Sequence, residues 1–137
     1  MRLLVLLALV LVGGCTTEVG PSPAELKAQW DAQNVVPQNY KSDLIAFLRT
    51  YLNDPTHIRG AMVSQPQLKN VGQGDRYVVC VRYDARRSNG QYAGPKDGAA
   101  TFVSGKLDRY LDVPRDVREF CKDAAYEPFP ALEKLTR

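Results

Sequence analysis

The sequence predicts an α+β fold: N-terminal helices packed on a small antiparallel sheet of three to four strands, then a short C-terminal helix. Three observations predict it. Leu44, Ile45, Leu48, Tyr51 and Leu52 recur at the spacing of one wide helix face. Over residues 76–85 the period is two, with Tyr77, Val79, Val81, Tyr83 and Ala85 alternating with Val78, Cys80, Arg82 and Asp84. Pro114 then opens a stretch in which Val117, Phe120 and Cys121 share one helical face.

The elements are justified in order. Ser22-Pro23-Ala24-Glu25 has the spacing of a capping box with proline at the first helical position, and it starts a short helix running to about Gln33. The apolar stripe of that helix is thin, Leu26 and Trp30 one turn apart, so Trp30 either anchors a partner or folds back onto its own domain. The second helix starts at Asn39, which can cap it. Asn53-Asp54-Pro55 ends it, because a residue before proline is pushed out of helical geometry.

Residues 59–68 predict a weak strand that Pro66 confines to an edge or cuts short. Val71-Gly72-Gln73-Gly74-Asp75 reads as a hairpin connection, without the glycine and lysine pattern of a phosphate loop. The strand over 76–85 is apolar on both faces at its centre and belongs in the middle of the sheet. Asn89-Gly90, Gly94-Pro95 and Asp97-Gly98 make residues 86–98 a long, mobile excursion. Residues 99–103 and 106–111 predict a third and a fourth strand joined by a tight reversal at Ser104-Gly105. In the tail, Pro128 and Pro130 hold the chain extended, while Tyr126, Phe129, Leu132 and Leu135 offer apolar contacts.

The first fifteen residues carry a different signal. Arg2 precedes an unbroken apolar run from Leu3 to Val12, about half of the ~20 residues needed to span a bilayer, and Gly13-Gly14 lead into Cys15. A positive start, a short apolar core and small residues at the exit read as a secretory signal. The ending Val12-Gly13-Gly14-Cys15 resembles the lipobox of bacterial lipoproteins. That resemblance implies a cleaved signal peptide over residues 1–14, a diacylglyceryl thioether on the Cys15 sulfur and a further acyl chain, such as palmitate, on the new amino terminus. Several acyl chains make membrane attachment effectively permanent, since each buried methylene adds about 0.8 kcal/mol. Thr16, in place of the aspartate that marks inner-membrane retention in such lipoproteins, implies the outer membrane with the protein facing the periplasm. The alternatives are an ordinary signal peptide cleaved near Gly14 and an uncleaved anchor. Residues 15–37 then form a lipidated N-terminus, tether and short helix, and residues 38–137 one domain.

The chain of 137 residues has 18 Lys and Arg against 15 Asp and Glu. That near-balance excludes a dedicated nucleic-acid protein, which needs a concentrated basic face. With Cys15 assigned to lipid, Cys80 and Cys121 remain as an even pair in an oxidising compartment and predict a disulfide. A metal pair, a catalytic thiol and two reduced cysteines are the alternatives. Cys80 sits in the apolar run Tyr77-Val78-Val79-Cys80-Val81, with no neighbouring histidine or CxxC spacing to favour a metal or a reactive thiol.

No catalytic constellation, metal set or cofactor motif is legible. The one histidine, His57, has no GxSxG or comparable elbow to serve and reads as a surface side chain. Asp75, Asp84, Asp97 and Asp108 offer carboxylate pairs of no specificity. The feature that stands out is a basic cluster, Arg82, Arg86, Arg87 and Lys96 with Tyr83 and Tyr92, suited to phosphates, carboxylates or an acidic protein patch. The alternative is a solvated hairpin whose charges keep it soluble. Helices leading into an antiparallel meander are similar in plan to the small assembly lipoprotein of the outer-membrane barrel insertion machinery, a similarity of fold alone. The expectation is therefore a non-catalytic accessory or adaptor, held to the membrane by its N-terminal lipid and binding an envelope protein or cell-wall component. A periplasmic ligand-binding or hydrolase-inhibitor module is the alternative.

Overall fold

The computed structural model describes residues 19–136; Cys15, the signal segment and the first part of the tether lie outside the described residues. Helix α1 spans Pro23–Ala32 and starts from the expected capping box, Ser22 and Glu25 each bonding the other's backbone N–H. It buries none of its residues. Trp30 nevertheless holds it down: the indole Nε1 donates to the Asp75 carbonyl at 2.7 Å, and the Arg76 guanidinium stacks 3.4 Å from its ring. Arg76, almost fully buried, donates to the Trp30 carbonyl and to the side chains of Gln33 and Asn34. Of the two readings of Trp30, the structure takes folding back onto its own domain.

Helix α2, Tyr40–Tyr51, carries the predicted apolar face, with Leu44 and Leu48 fully buried. Asn39 occupies the cap position but makes no side-chain cap; its carbonyl takes the Asp43 N–H instead. Strand β1, Asp54–Ser64, starts two residues after the C-cap of α2. β2 is Gln67–Asn70, β3 Asp75–Arg86, β4 Lys96–Val103 and β5 Lys106–Leu111. Helix α3, Pro114–Cys121, precedes β6, Tyr126–Pro128, and the single turn α4, Pro130–Glu133.

All pairings are antiparallel, in the order β5-β4-β3-β1-β6, with β2 also paired to β3. Six strands replace the expected three to four, for two reasons. Pro66, which has no N–H to give a ladder, separates β1 from β2, and both lie along β3: β2 on its first residues, β1 on its later ones. The proline-flanked tail, kept extended at residues 126–128, adds β6 to the free side of β1. Of the two expectations for Pro66, the shortened strand holds, since β1 ends at Ser64, and the edge position does not. β1 lies between β3 and β6 and begins at Asp54, five residues before the predicted start, with two register shifts and positive φ at His57 and Gly60.

Helices cover both sheet faces. Val79, Val81 and Tyr83 of β3 point toward α2 and α4 and form the main core with Leu44, Leu48, Phe102, Phe129 and Leu132. Val78 and Cys80 point the other way, into a smaller cluster with Ala99, Phe120 and Tyr126. There Cys80 and Cys121 form a disulfide that fastens α3 to the central strand, Cα atoms 5.9 Å apart. Among the described residues no helix is long and apolar enough to cross a membrane.

Candidate functional site

The last turn of α2 and the far end of β3 leave between them a cleft of about 420 Å³. Tyr51, Leu52 and Asn53 form one wall, Tyr83 and Ala85 the floor, and Arg86, Arg87, Ala93, Gly94 and Lys96 the other side. The 86–98 segment that supplies this side is tied to the sheet by hydrogen bonds and a stacked ring. Arg87 and Gln91 close its turn by backbone hydrogen bonds, with Gly90 in the left-handed conformation that glycine adopts without strain. Tyr92 lies under the Arg59 guanidinium at 3.7 Å and donates its hydroxyl to the His57 carbonyl at 2.7 Å. Asp84, itself nearly buried, accepts from Gly94 N–H on one oxygen and from Arg59 on the other. The Tyr92 and Asp84 contacts to Arg59 and His57 reach across to β1 and are invisible to a local reading of turn residues.

The predicted basic cluster divides accordingly. Arg82 alternates onto the α3 face, where it grips Asp97 bidentately at 2.6 and 2.9 Å and lies over the Tyr126 ring. Tyr83 is buried in the main core and shares a hydrogen bond with the Tyr110 hydroxyl. Tyr92 is a strut of the loop and lines no part of the cleft. Arg86 lines it, but its charge is met by Asp54 at 2.7 Å, and the same Nη2 lies 2.7 Å from His57 Nδ1. Hydrogen bonds from the Thr56 hydroxyl and N–H, reinforced by Arg86, hold the Asp54 carboxyl down to about 2. The Arg86 Nε is buried without a hydrogen-bond partner.

Arg87 and Lys96 remain. Both are exposed at the cleft mouth, and neither takes part in an ion pair among the described residues. Among the described residues no carboxylate lines the cleft. The carbonyls at the C-terminus of α2 bring only about half a unit of negative charge, so two full cations leave the mouth positive. Tyr51, which the helical period assigns to the core face, belongs partly to this site: its ring packs on Phe47 and Tyr110, and 42% of the residue is exposed. Its hydroxyl is spent on Asp112, a hydrogen bond that with burial pushes the phenol up to about 12. Burial pushes the Tyr110 phenol well above its ordinary range, and Tyr83 in the same direction. These phenols stay protonated at neutral pH and present ring faces rather than charge.

His57 is exposed, with Nδ1 between the Thr56 hydroxyl and the Arg86 guanidinium. The four aspartates singled out in the sequence disperse: Asp84 pairs with Arg59 and Asp97 with Arg82, while Asp75 serves the α1 contact through its carbonyl. Asp108 lies near Arg109 on β5. Among the described residues no group of three or more His, Cys, Asp or Glu side chains is gathered to hold a metal. The arrangement at the cleft can attract and hold an anion.

No protein-family model matches the chain, and neither does any curated protein or solved structure. The functional reading rests on the cleft and on the leader.

Proposed function

We propose that this chain is a small lipoprotein anchored through Cys15, facing the periplasm from the outer membrane, and acting as a non-catalytic accessory or adaptor for another envelope component. The observation that carries the reading is the pairing of Cys80 with Cys121, which accounts for every cysteine except the one at the end of the lipobox. Disulfides persist in oxidising compartments, and a secretory leader delivers the chain to one. The unpaired cations of Arg87 and Lys96 are the surface this reading assigns to the partner.

Detergent phase separation tests the anchor. Wild-type protein partitions into the Triton X-114 phase, Cys15→Ala does not, and globomycin makes the full-length precursor accumulate. Aqueous partition of the wild type removes the lipoprotein reading. Capture from solubilised envelopes tests the partner surface: Arg87→Glu/Lys96→Glu lowers recovery of the envelope component in a salt-dependent way, because rim charges govern encounter and register. Arg86 is unsuited to this test, since reversing it strands Asp54. The second reading, a ligand-binding module, is favoured by one observation, the concave form and volume of the cleft.

A further inference from the structure

We infer that the cleft between the end of α2 and the 86–98 loop binds a phosphomonoester carried on a ring-sized body, with Arg87 and Lys96 as its anion clamp. The inference deepens the ligand-binding reading by naming its chemistry. A phosphomonoester carries about −1.5 to −2 at neutral pH on one centre, which matches two free cations at one mouth. A single carboxylate leaves one of them unanswered. The arginine fork pairs bidentately with phosphate oxygens while lysine supplies a compact point charge, a division of labour that suits one phosphoryl group held on the loop side of the cleft.

The body is read from the walls. A cleft of about 420 Å³ far exceeds a bare phosphate and falls within the roughly 300–1,000 Å³ of small-molecule sites. The exposed ring of Tyr51 and the side chain of Leu52 form one wall, over a floor of Tyr83 and Ala85, so the lining there is largely apolar. Both tyrosine hydroxyls are already engaged, Tyr51 with Asp112 and Tyr83 with Tyr110, so neither is a free donor for a second charged group; Tyr51, 42% exposed, offers its ring to a ligand, while Tyr83 is buried in the floor. Arg86, its charge met by Asp54, adds a buried Nε–H without a hydrogen-bond partner to the lining.

Neutralising the helix terminus does not account for both cations, because about half a charge does not require two. A membrane surface fits less well: recognition of anionic bilayers uses clusters of about four to eight basic residues on an accessible face, whereas here two cations lie on one wall of a concavity. The strapped loop makes the site preformed, since Tyr92, Gly94 and Ala93 are each bonded to β1 or β3.

The test is calorimetric titration of the full chain in non-ionic detergent with glucose 6-phosphate, inorganic phosphate and glucose. Glucose 6-phosphate is expected to bind at least tenfold more tightly than inorganic phosphate, and glucose not at all. Its affinity falls as pH drops below about 6, where the phosphate loses its second charge. Arg87→Gln/Lys96→Gln is expected to weaken binding at least tenfold with an unchanged thermal midpoint, and the exposed Lys106→Gln, at the other end of the sheet, to leave it intact. Several outcomes overturn the proposal: no heat with millimolar glucose 6-phosphate, inorganic phosphate binding as tightly, or a double variant that binds like wild type. So does binding confined to phosphatidylglycerol vesicles, which returns a membrane surface. Failure of the titration with envelope capture intact removes the ligand class and leaves the adaptor reading standing. Aqueous partition of the wild type with titration intact removes the anchor and leaves the site.

Discussion

Gly74 has the indole of Trp30 against its backbone, so closely that a Cβ there would lie 2.6 Å from Nε1. Gly74→Ala is expected to push the ring off its seat and break its bond to the Asp75 carbonyl. Because the chain has a single tryptophan, the displacement reads directly as a red shift in fluorescence; emission unchanged from wild type would mean that Trp30 is not docked there. Asp54 illustrates a charge that works through folding. Its carboxyl is held down to about 2 by Thr56 and Arg86, below the ordinary value of about 3.9 that it regains on unfolding. A lowered folded-state value means stability present above the unfolded value and lost as pH falls from about 4 toward 2. Asp54→Asn should therefore flatten the acid limb of the stability curve in that window. Curves that run parallel for the two proteins down to pH 2 contradict the assignment. The capping-box pair and the Arg86 partner show how unevenly residue detail was legible: Ser22 and Glu25 are three apart, whereas Asp54 meets Arg86 only after β1 pairs with β3.

At the scale of elements, α2 answers its sequence pattern because a helix face is defined by spacing alone. Leu44 and Leu48 are fully buried in the main core, and truncating Leu48 to alanine should cost about 2–5 kcal/mol, the lost transfer energy plus a cavity the neighbours do not fill. A urea-unfolding loss below about half a kcal/mol would mean that α2 is not packed on the sheet. β3 was equally legible, its double-faced apolar centre matching its place between β4 on one side and β1 and β2 on the other. β1 was not. Proline at 66 suggested an edge or a shortened strand; it shortens β1, the break falls between two strands that share the same neighbour, and β6 covers the remaining side. β6 has only three residues, and nothing in so short a segment announces a partner more than sixty residues away in the chain.

The whole molecule is asymmetric across its sheet. One face carries a large core under α2 and α4, the other a small cluster in which the disulfide supplies the long-range link to α3. Replacing Cys80 or Cys121 with serine should lower stability by about 2–5 kcal/mol, the usual cost of losing a native disulfide. Hydrogen exchange should quicken first over α3, with the strands beneath α2 still protected. Free thiol at both positions in unfolded, unreduced protein would refute the bridge. The cysteine pairing was legible by count, since two cysteines remain once Cys15 of the leader is set aside. The cleft was legible only in part: Arg86, Arg87 and Lys96 were named by composition, but Tyr51 and Leu52 join them from an element some thirty residues earlier, brought there by the packing of α2 on the sheet. The sequence by itself determined α2, the central strand, the hairpin turns and the cysteine pair, because each depends on periodicity, on neighbouring residues or on a count. Only the tertiary structure decided which charges remain free. Neutralisation depends on distance through space, and strand register sends Arg82 to Asp97 and Arg86 to Asp54 while leaving Arg87 and Lys96 at an open mouth.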